Sequence, residues 1–147
     1  MKKNMLFVLN PTAGKTHIKG ELFEVINAFS DAGYRVTVYP TRQPFDGKNI
    51  VISEGADYDL IVCAGGDGTL DDVVSGFMVS NCDIPLGYIP AGSTNDFARS
   101  LGIPLEPMAA VTNIISGHPF PVDIGCFNEN DYFVYIAAFG AFTEVSY

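Results

Sequence analysis

Basic residues are scarce: 8 Lys and Arg stand against 17 Asp and Glu in 147 residues, a formal net charge of −9. A nucleic-acid-coating surface needs a basic footprint, and constitutive attachment to anionic membranes needs a polybasic segment, so both are excluded. Cysteine is limited to Cys63, Cys82 and Cys126, an odd number, far apart and without a Cys-x-x-Cys pair. Neither a disulfide framework nor a zinc site is indicated; they read as reduced, cytosolic cysteines, with Cys63 a small core residue in an apolar strand. His17 and His118 are isolated, without ligand-like partners in sequence, and read as surface or packing residues. Long apolar runs are missing too. The run behind Lys2 and Lys3 extends only from Met5 to Leu9 before Asn10 and Pro11, too short for a signal-peptide core or a membrane span. Repeats and low-complexity tracts are absent.

What is present fits one domain able to bury a single sizeable core. Met5-Leu6-Phe7-Val8-Leu9 predicts a central parallel strand buried on both faces. Leu22, Phe23, Val25, Ile26 and Phe29 recur at helical spacing over 20–32, with Gly33 as C-cap. The alternating residues 35–39 predict a second strand, 45–54 a helix closed by Gly55, and 60–64 a third strand. The next helix carries Leu70, Val73, Val74, Phe77 and Met78 on one side. Residues 84–89 predict a fourth strand, nearer an edge because of Pro85. A short helix to about Leu101 follows, then another over 107–116, begun by Pro107 and ended by Gly117.

After that, strand follows strand: 120–127 and 132–139, around a turn at 128–131, read as a hairpin. The expected organisation is therefore an α/β nucleotide-binding domain over 1–119 and, over 120–147, the β-hairpin start of a truncated second, β-rich domain. The chain is expected to be a fragment, and inactive alone.

Alternating strands and helices imply an α/β fold, a three-layer parallel sheet with helices on both faces and right-handed crossovers. Loops leaving the carboxyl ends of such strands share one edge, and ligands bind there at the switch in strand order. Three loops at that edge carry chemistry. The first is Asn10-Pro11-Thr12-Ala13-Gly14-Lys15. The second, Gly65-Gly66-Asp67-Gly68-Thr69, has three glycines in four positions, so several N–H groups can meet one anion. Thr69 and Asp72 have capping-box spacing, which adds the positive end of a helix dipole. In the third, Gly92 to Asp96, Ser93 and Asp96 repeat that spacing.

Together these loops predict a nucleotide-phosphate site. Asp67, Asp71 and Asp72 would repel a bare phosphate, so a bridging divalent cation is expected; the bland alternative is a set of solvated acids favoured by a helix N-terminus. Walker A chemistry is excluded because its first glycine would fall on Leu9, and Gly65-Gly66-Asp67-Gly68 does not fit Gly-x-Gly-x-x-Gly. Lys15 reads equally as a phosphate-directed point charge or a solvated loop lysine.

The segments Asn10 to Lys15, Gly65-Gly66-Asp67-Gly68-Thr69-Leu70 and Gly92-Ser93-Thr94-Asn95-Asp96-Phe97-Ala98-Arg99 resemble, in the right order, the three signatures of the diacylglycerol kinase catalytic domain family. That family includes bacterial lipid kinases and resembles sphingosine kinases. Gly-Gly-Asp-Gly-Thr alone is shared with NAD kinases and, more loosely, phosphofructokinases; the Asn95 to Arg99 ending favours a lipid kinase. The resemblance implies a nucleotide domain followed by a β-sandwich, with ATP and Mg²⁺ at the cleft between them. The implied reaction is phosphoryl transfer from ATP to the hydroxyl of diacylglycerol or a similar lipid. By resemblance, Asn10, Thr41, Gly65, Gly66, Gly68, Thr69, Gly92, Ser93 and Thr94 would hold ATP. Asp67 would be the acid at the transferred phosphate, acting through Mg²⁺ or as the base for the acceptor hydroxyl. Glu144 looks like the acid that sphingosine kinases carry near the lipid hydroxyl. No metal ligand is assigned. Asp71 and Asp72 stand where relatives usually show Asn and Glu, and Ser93 where Thr is commoner, each preserving polarity. The expected setting is a cytoplasmic protein in peripheral contact with the membrane that holds its lipid substrate, with a homodimer as the expected assembly. An NAD kinase-type phosphotransferase and a non-catalytic nucleotide-binding module are the alternative readings.

Overall fold

The computed structural model describes residues 2–12, 18–92, 94–119, 125–127 and 131–133. The apolar run at the start forms β1 (Lys3–Leu9), whose last five residues are buried. With β2 (Tyr34–Pro40), β3 (Leu60–Gly65) and β4 (Leu86–Pro90) it makes a sheet of order β2-β1-β3-β4, every pair parallel. The expected three-layer α/β architecture is present, and among the described residues β4 lies at the edge of the sheet, as Pro85 indicated.

The strand period of two sorts the core into two halves. Met5, Phe7 and Leu9 of β1 pack with Val62 and Ala64 against α1 (Ile18–Asp31) and α5 (Pro107–Ser116). Leu6 and Val8 pack with Ile61 and Cys63 against α2 (Asp46–Glu54), α3 (Asp67–Ser80) and α4 (Asp96–Leu101). A continuous apolar strand is stable only because both of its faces are covered, each large side chain contributing about 1.5–3 kcal/mol. Burial pushes the Cys63 thiol far above its ordinary value, consistent with an inert core residue.

Helix boundaries show where local signals mislead. Gly33 ends α1 at φ 101°, as expected of a C-cap glycine, but Phe23 is 77% exposed and does not join the core face. Met78 likewise leaves the apolar side of α3, at 42% exposure. The Thr69–Asp72 capping box does not form, because α3 starts at Asp67 with Gly66 at its N-cap, and the Leu70 N–H reaches the Gly66 carbonyl at 3.1 Å. Glycines admit the chain into the helix early, which leaves Thr69 in the first turn. Asn95 takes the N-cap position of α4 at φ 52°, displacing Ser93 from that role; Ser93 itself lies outside the described residues. At α5 the carboxylate of Glu106 accepts from the Met108 and Ala109 N–H groups at 3.2 and 2.8 Å.

Two short strands, β5 (Gly125–Phe127) and β6 (Asp131–Phe133), form a separate antiparallel pair. They match part of the expected hairpin, whose remainder lies outside the described residues. The chain runs from β1 outward to β2 and returns to β3 on the other side of β1, while α1 and α3 leave on opposite faces. This leaves a crevice between the carboxyl ends of β1 and β3.

Candidate active site

A cleft of about 790 Å³ opens at that crevice, within the ~300–1,000 Å³ usual for small-molecule sites. Its walls come from the ends of all four strands. From β1, the Asn10 N–H bonds the Ala64 carbonyl at 3.0 Å and its Nδ2 donates to Thr69 Oγ1 at 3.1 Å. Asn10 Oδ1 accepts from the Thr12 N–H and hydroxyl, both at 3.0 Å. One side chain thus joins the first loop to the first turn of α3.

The second loop owes its shape to glycine at specific contacts. A Cβ on Gly65 would lie 2.7 Å from Thr69 Cβ and Oγ1, and one on Gly92 would lie 2.4 Å from Gly66 Cα. The β3 and β4 loops therefore cross backbone to backbone. Gly66, Gly68 and Thr69 line the cleft at the start of α3, where uncapped helix N–H groups and the dipole favour an anion.

Asp67 is placed differently from expectation. It is not among the residues lining the cleft; its Oδ2 accepts from the Asp96 N–H at 3.0 Å and its Oδ1 from the Phe97 N–H at 3.4 Å. It caps α4 from a neighbouring helix and so ties the second loop to the third. Within the third loop, Asn95 Oδ1 accepts the Gly92 N–H at 2.9 Å and Asn95 Nδ2 donates to the Gly92 carbonyl at 3.0 Å.

Of the predicted nucleotide residues, the structure brings Asn10, Thr41, Gly66, Gly68, Thr69 and Gly92 to the cleft. Gly65, the last residue of β3, and Thr94 are not among the residues lining the cleft; the Thr94 carbonyl accepts from Arg99 Nε at 2.8 Å. Lys15, Ser93 and Glu144 lie outside the described residues.

A fourth wall, from Thr41 to Gly47, reaches beyond the single residue Thr41 that the sequence pointed to. Thr41 N–H bonds the Leu9 carbonyl at 2.8 Å, while Asp46 Oδ2 accepts from the Arg42 and Gln43 N–H groups at 2.7 and 3.1 Å. Asp72, also lining the cleft, accepts the Phe45 N–H at 3.1 Å. Burial pushes the Asp72 carboxyl above the ordinary carboxylate range, and this Phe45 bond pulls the other way. The missed signal was topological: this loop also leaves the carboxyl end of a parallel strand.

A family model described as the diacylglycerol kinase catalytic domain matches residues 4–127. The chain belongs to that family. The diacylglycerol kinase of Staphylococcus aureus (strain bovine RF122 / ET3-1) is 42% identical over 150 residues, covering 100% of this chain and 47% of the relative. That of Staphylococcus haemolyticus (strain JCSC1435) is 43% identical, with 100% and 44% coverage. The crystal structure of a diacylglycerol kinase from Bacillus anthracis strain Sterne superposes with a TM-score of 0.81 at 28% identity, covering 90% of this chain and 46% of that one. The chain thus spans about half the length of the curated diacylglycerol kinases it matches.

Proposed function

We propose that this chain supplies the nucleotide site of an ATP-dependent lipid kinase, which transfers the γ-phosphoryl group of ATP to the hydroxyl of diacylglycerol or a similar lipid. The observation that carries this reading is the meeting of Asn10, the Gly66 to Thr69 turn and Gly92 at one cleft in a diacylglycerol kinase family chain. Phosphoryl transfer asks a protein mainly for positioning and charge neutralisation. Glycine N–H groups at a helix start supply the positioning and part of the neutralisation.

In this reading Asn10, Thr41, Gly66, Gly68, Thr69 and Gly92 face ATP, with Gly65, Ser93 and Thr94 completing the loops. Asp67 is the acid next to the transferred phosphate and Glu144 the acid near the lipid hydroxyl. Among the described residues, no group of three His, Cys, Asp or Glu side chains forms a metal cage. The donors fit instead a Mg²⁺ carried in by the nucleotide, which needs only one or two carboxylates beside the phosphates; Asp72 at the cleft and Asp67 behind it are those carboxylates. Bound there, Mg²⁺ would neutralise phosphate charge.

The same reading assigns 1–119 to the nucleotide domain and 120–147 to the start of a β-rich one, supported by the separate antiparallel pairing of β5 and β6. No described helix is long and apolar enough to cross a membrane; in this reading the protein is cytoplasmic, forms a homodimer and meets its lipid at the membrane surface. The test is labelled ATP with vesicles containing diacylglycerol and the longest native form of the protein. Labelled lipid is expected. Phosphorylation of NAD in place of lipid, or ATP binding without any turnover, would overturn the proposal.

A further inference from the structure

We infer that Tyr88 is a positioning residue for the phosphate-binding turn, its buried hydroxyl fixing the Gly65–Gly66 peptide so that the Gly66 N–H faces the cleft. This rests on the nucleotide reading above. Tyr88 lies on β4, 5% exposed, and donates to the Gly65 carbonyl at 2.9 Å. The same oxygen accepts the Ala91 N–H at 2.8 Å. Both donors come from the β4 side, at the end of the register where Gly65 pairs with Pro90.

In a trans peptide the C=O and the following N–H point in opposite directions. Holding the Gly65 oxygen toward β4 therefore turns the Gly66 N–H toward β1, the side on which Asn10 and Thr12 line the cleft. Among the described residues the Gly66 N–H has no acceptor, so it is available to a ligand. A peptide between two glycines has no Cβ on either side to resist rotation. One backbone bond leaves its plane loosely set; a second donor arriving from a rigid ring fixes it. The ring is itself fixed, packed on Phe97 of α4 with centroids 6.2 Å apart and planes tilted by 58°. Burial also holds the phenol proton on well beyond the working pH range, so the hydroxyl stays a donor.

The role makes a discriminating demand: Tyr88 should matter for phosphates and not for the nucleoside. Tyr88→Phe deletes the hydroxyl while keeping the ring on Phe97. Calorimetry on the 147-residue chain is expected to show ATP dissociation rising about three- to tenfold in the variant, with adenosine affinity unchanged. In ¹⁵N spectra, the Gly66 amide is expected to shift in the variant without ligand and, in the wild type, on ATP addition. Unchanged ATP affinity, or equal weakening of ATP and adenosine, overturns the assignment. A wild type that binds no ATP defeats the nucleotide reading instead. The Gly66 amide of the unliganded variant then decides the positioning role by itself, a shift supporting it and an unmoved signal overturning it. A variant that failed to fold would not shield the proposal, because a wild-type Gly66 amide unmoved by ATP is equally fatal.

Discussion

Both carboxylate oxygens of Asp67 meet N–H groups at the start of α4, so the side chain proposed for the phosphate also carries structure. Asn can keep one of those bonds, since Asn and Asp cap helices about equally well. Asp67→Asn is therefore expected to lower kcat by at least ~10²-fold with little change in melting temperature. An Asn variant that retained most activity would leave Asp67 as a tie between loops and nothing more. The glycines separate in the same way. Gly92→Ala would drive a methyl to 2.4 Å from Gly66 Cα, backbone that cannot step aside, and is expected to cost about 1–3 kcal/mol of stability. At Gly68, inside the first turn of α3, an added methyl would meet nothing within 4 Å, so Gly68→Ala should be neutral or stabilising by up to about 1 kcal/mol. Denaturant melts of the two variants check the contrast, and equal losses would contradict the backbone crossing.

At the next scale, the start of α2 stores conformational strain beside the cleft. Phe45 sits in the left-handed region at φ 71° with 61% of its surface exposed, held there by the half-buried Asp72 carboxylate of α3. Phe45→Gly removes a penalty of about 1–2 kcal/mol and adds unfolded-state entropy of roughly 0.5–1. A net gain of up to about 1.5 kcal/mol is expected, and a loss would show that the ring contributes packing despite its exposure. Burial raises the folded Asp72 pKa above its unfolded value, so its protonated form favours folding. That contribution is full below the unfolded pKa and disappears as pH rises through the folded one. Asp72→Asn is accordingly expected to flatten the stability profile over the weakly acidic range, as thermal melts across that range would show. The elements themselves differ in legibility for a physical reason. Met5 to Leu9 and Leu60 to Ala64 are uninterrupted apolar runs too short for a buried helix and bounded by turn residues, so β1 and β3 follow from length and composition. The start of α3 does not, because the Thr69–Asp72 spacing is a local signal and the glycines before it permit an earlier entry. The Arg42 to Gly47 wall carries no motif at all; it joins the site through strand register, with Thr41 bonded to the end of β1.

Charge is a property of the whole molecule and decides how a nucleotide can be held. The start of α3 offers roughly half a positive charge from its dipole, yet Asp67, Asp71 and Asp72 all lie within its first two turns, and the chain as a whole carries −9. Three carboxylates outweigh that dipole, and the N–H groups cannot by themselves offset the repulsion of a triphosphate. Part of the repulsion is muted: Asp67 is hydrogen-bonded to α4, and Asp72 is half-buried with its carboxyl raised. What remains still has the wrong sign for a bare anion. ATP binding is therefore expected to depend on Mg²⁺, with removal by EDTA weakening ATP by at least ~tenfold while adenosine binds the same with or without the ion. Calorimetric titrations of both ligands, each with Mg²⁺ and with EDTA, measure this directly. Equal ATP affinity in the two buffers would mean that the glycine N–H cradle outweighs the acids, and that the acids of α3 shape the loops without meeting the phosphates.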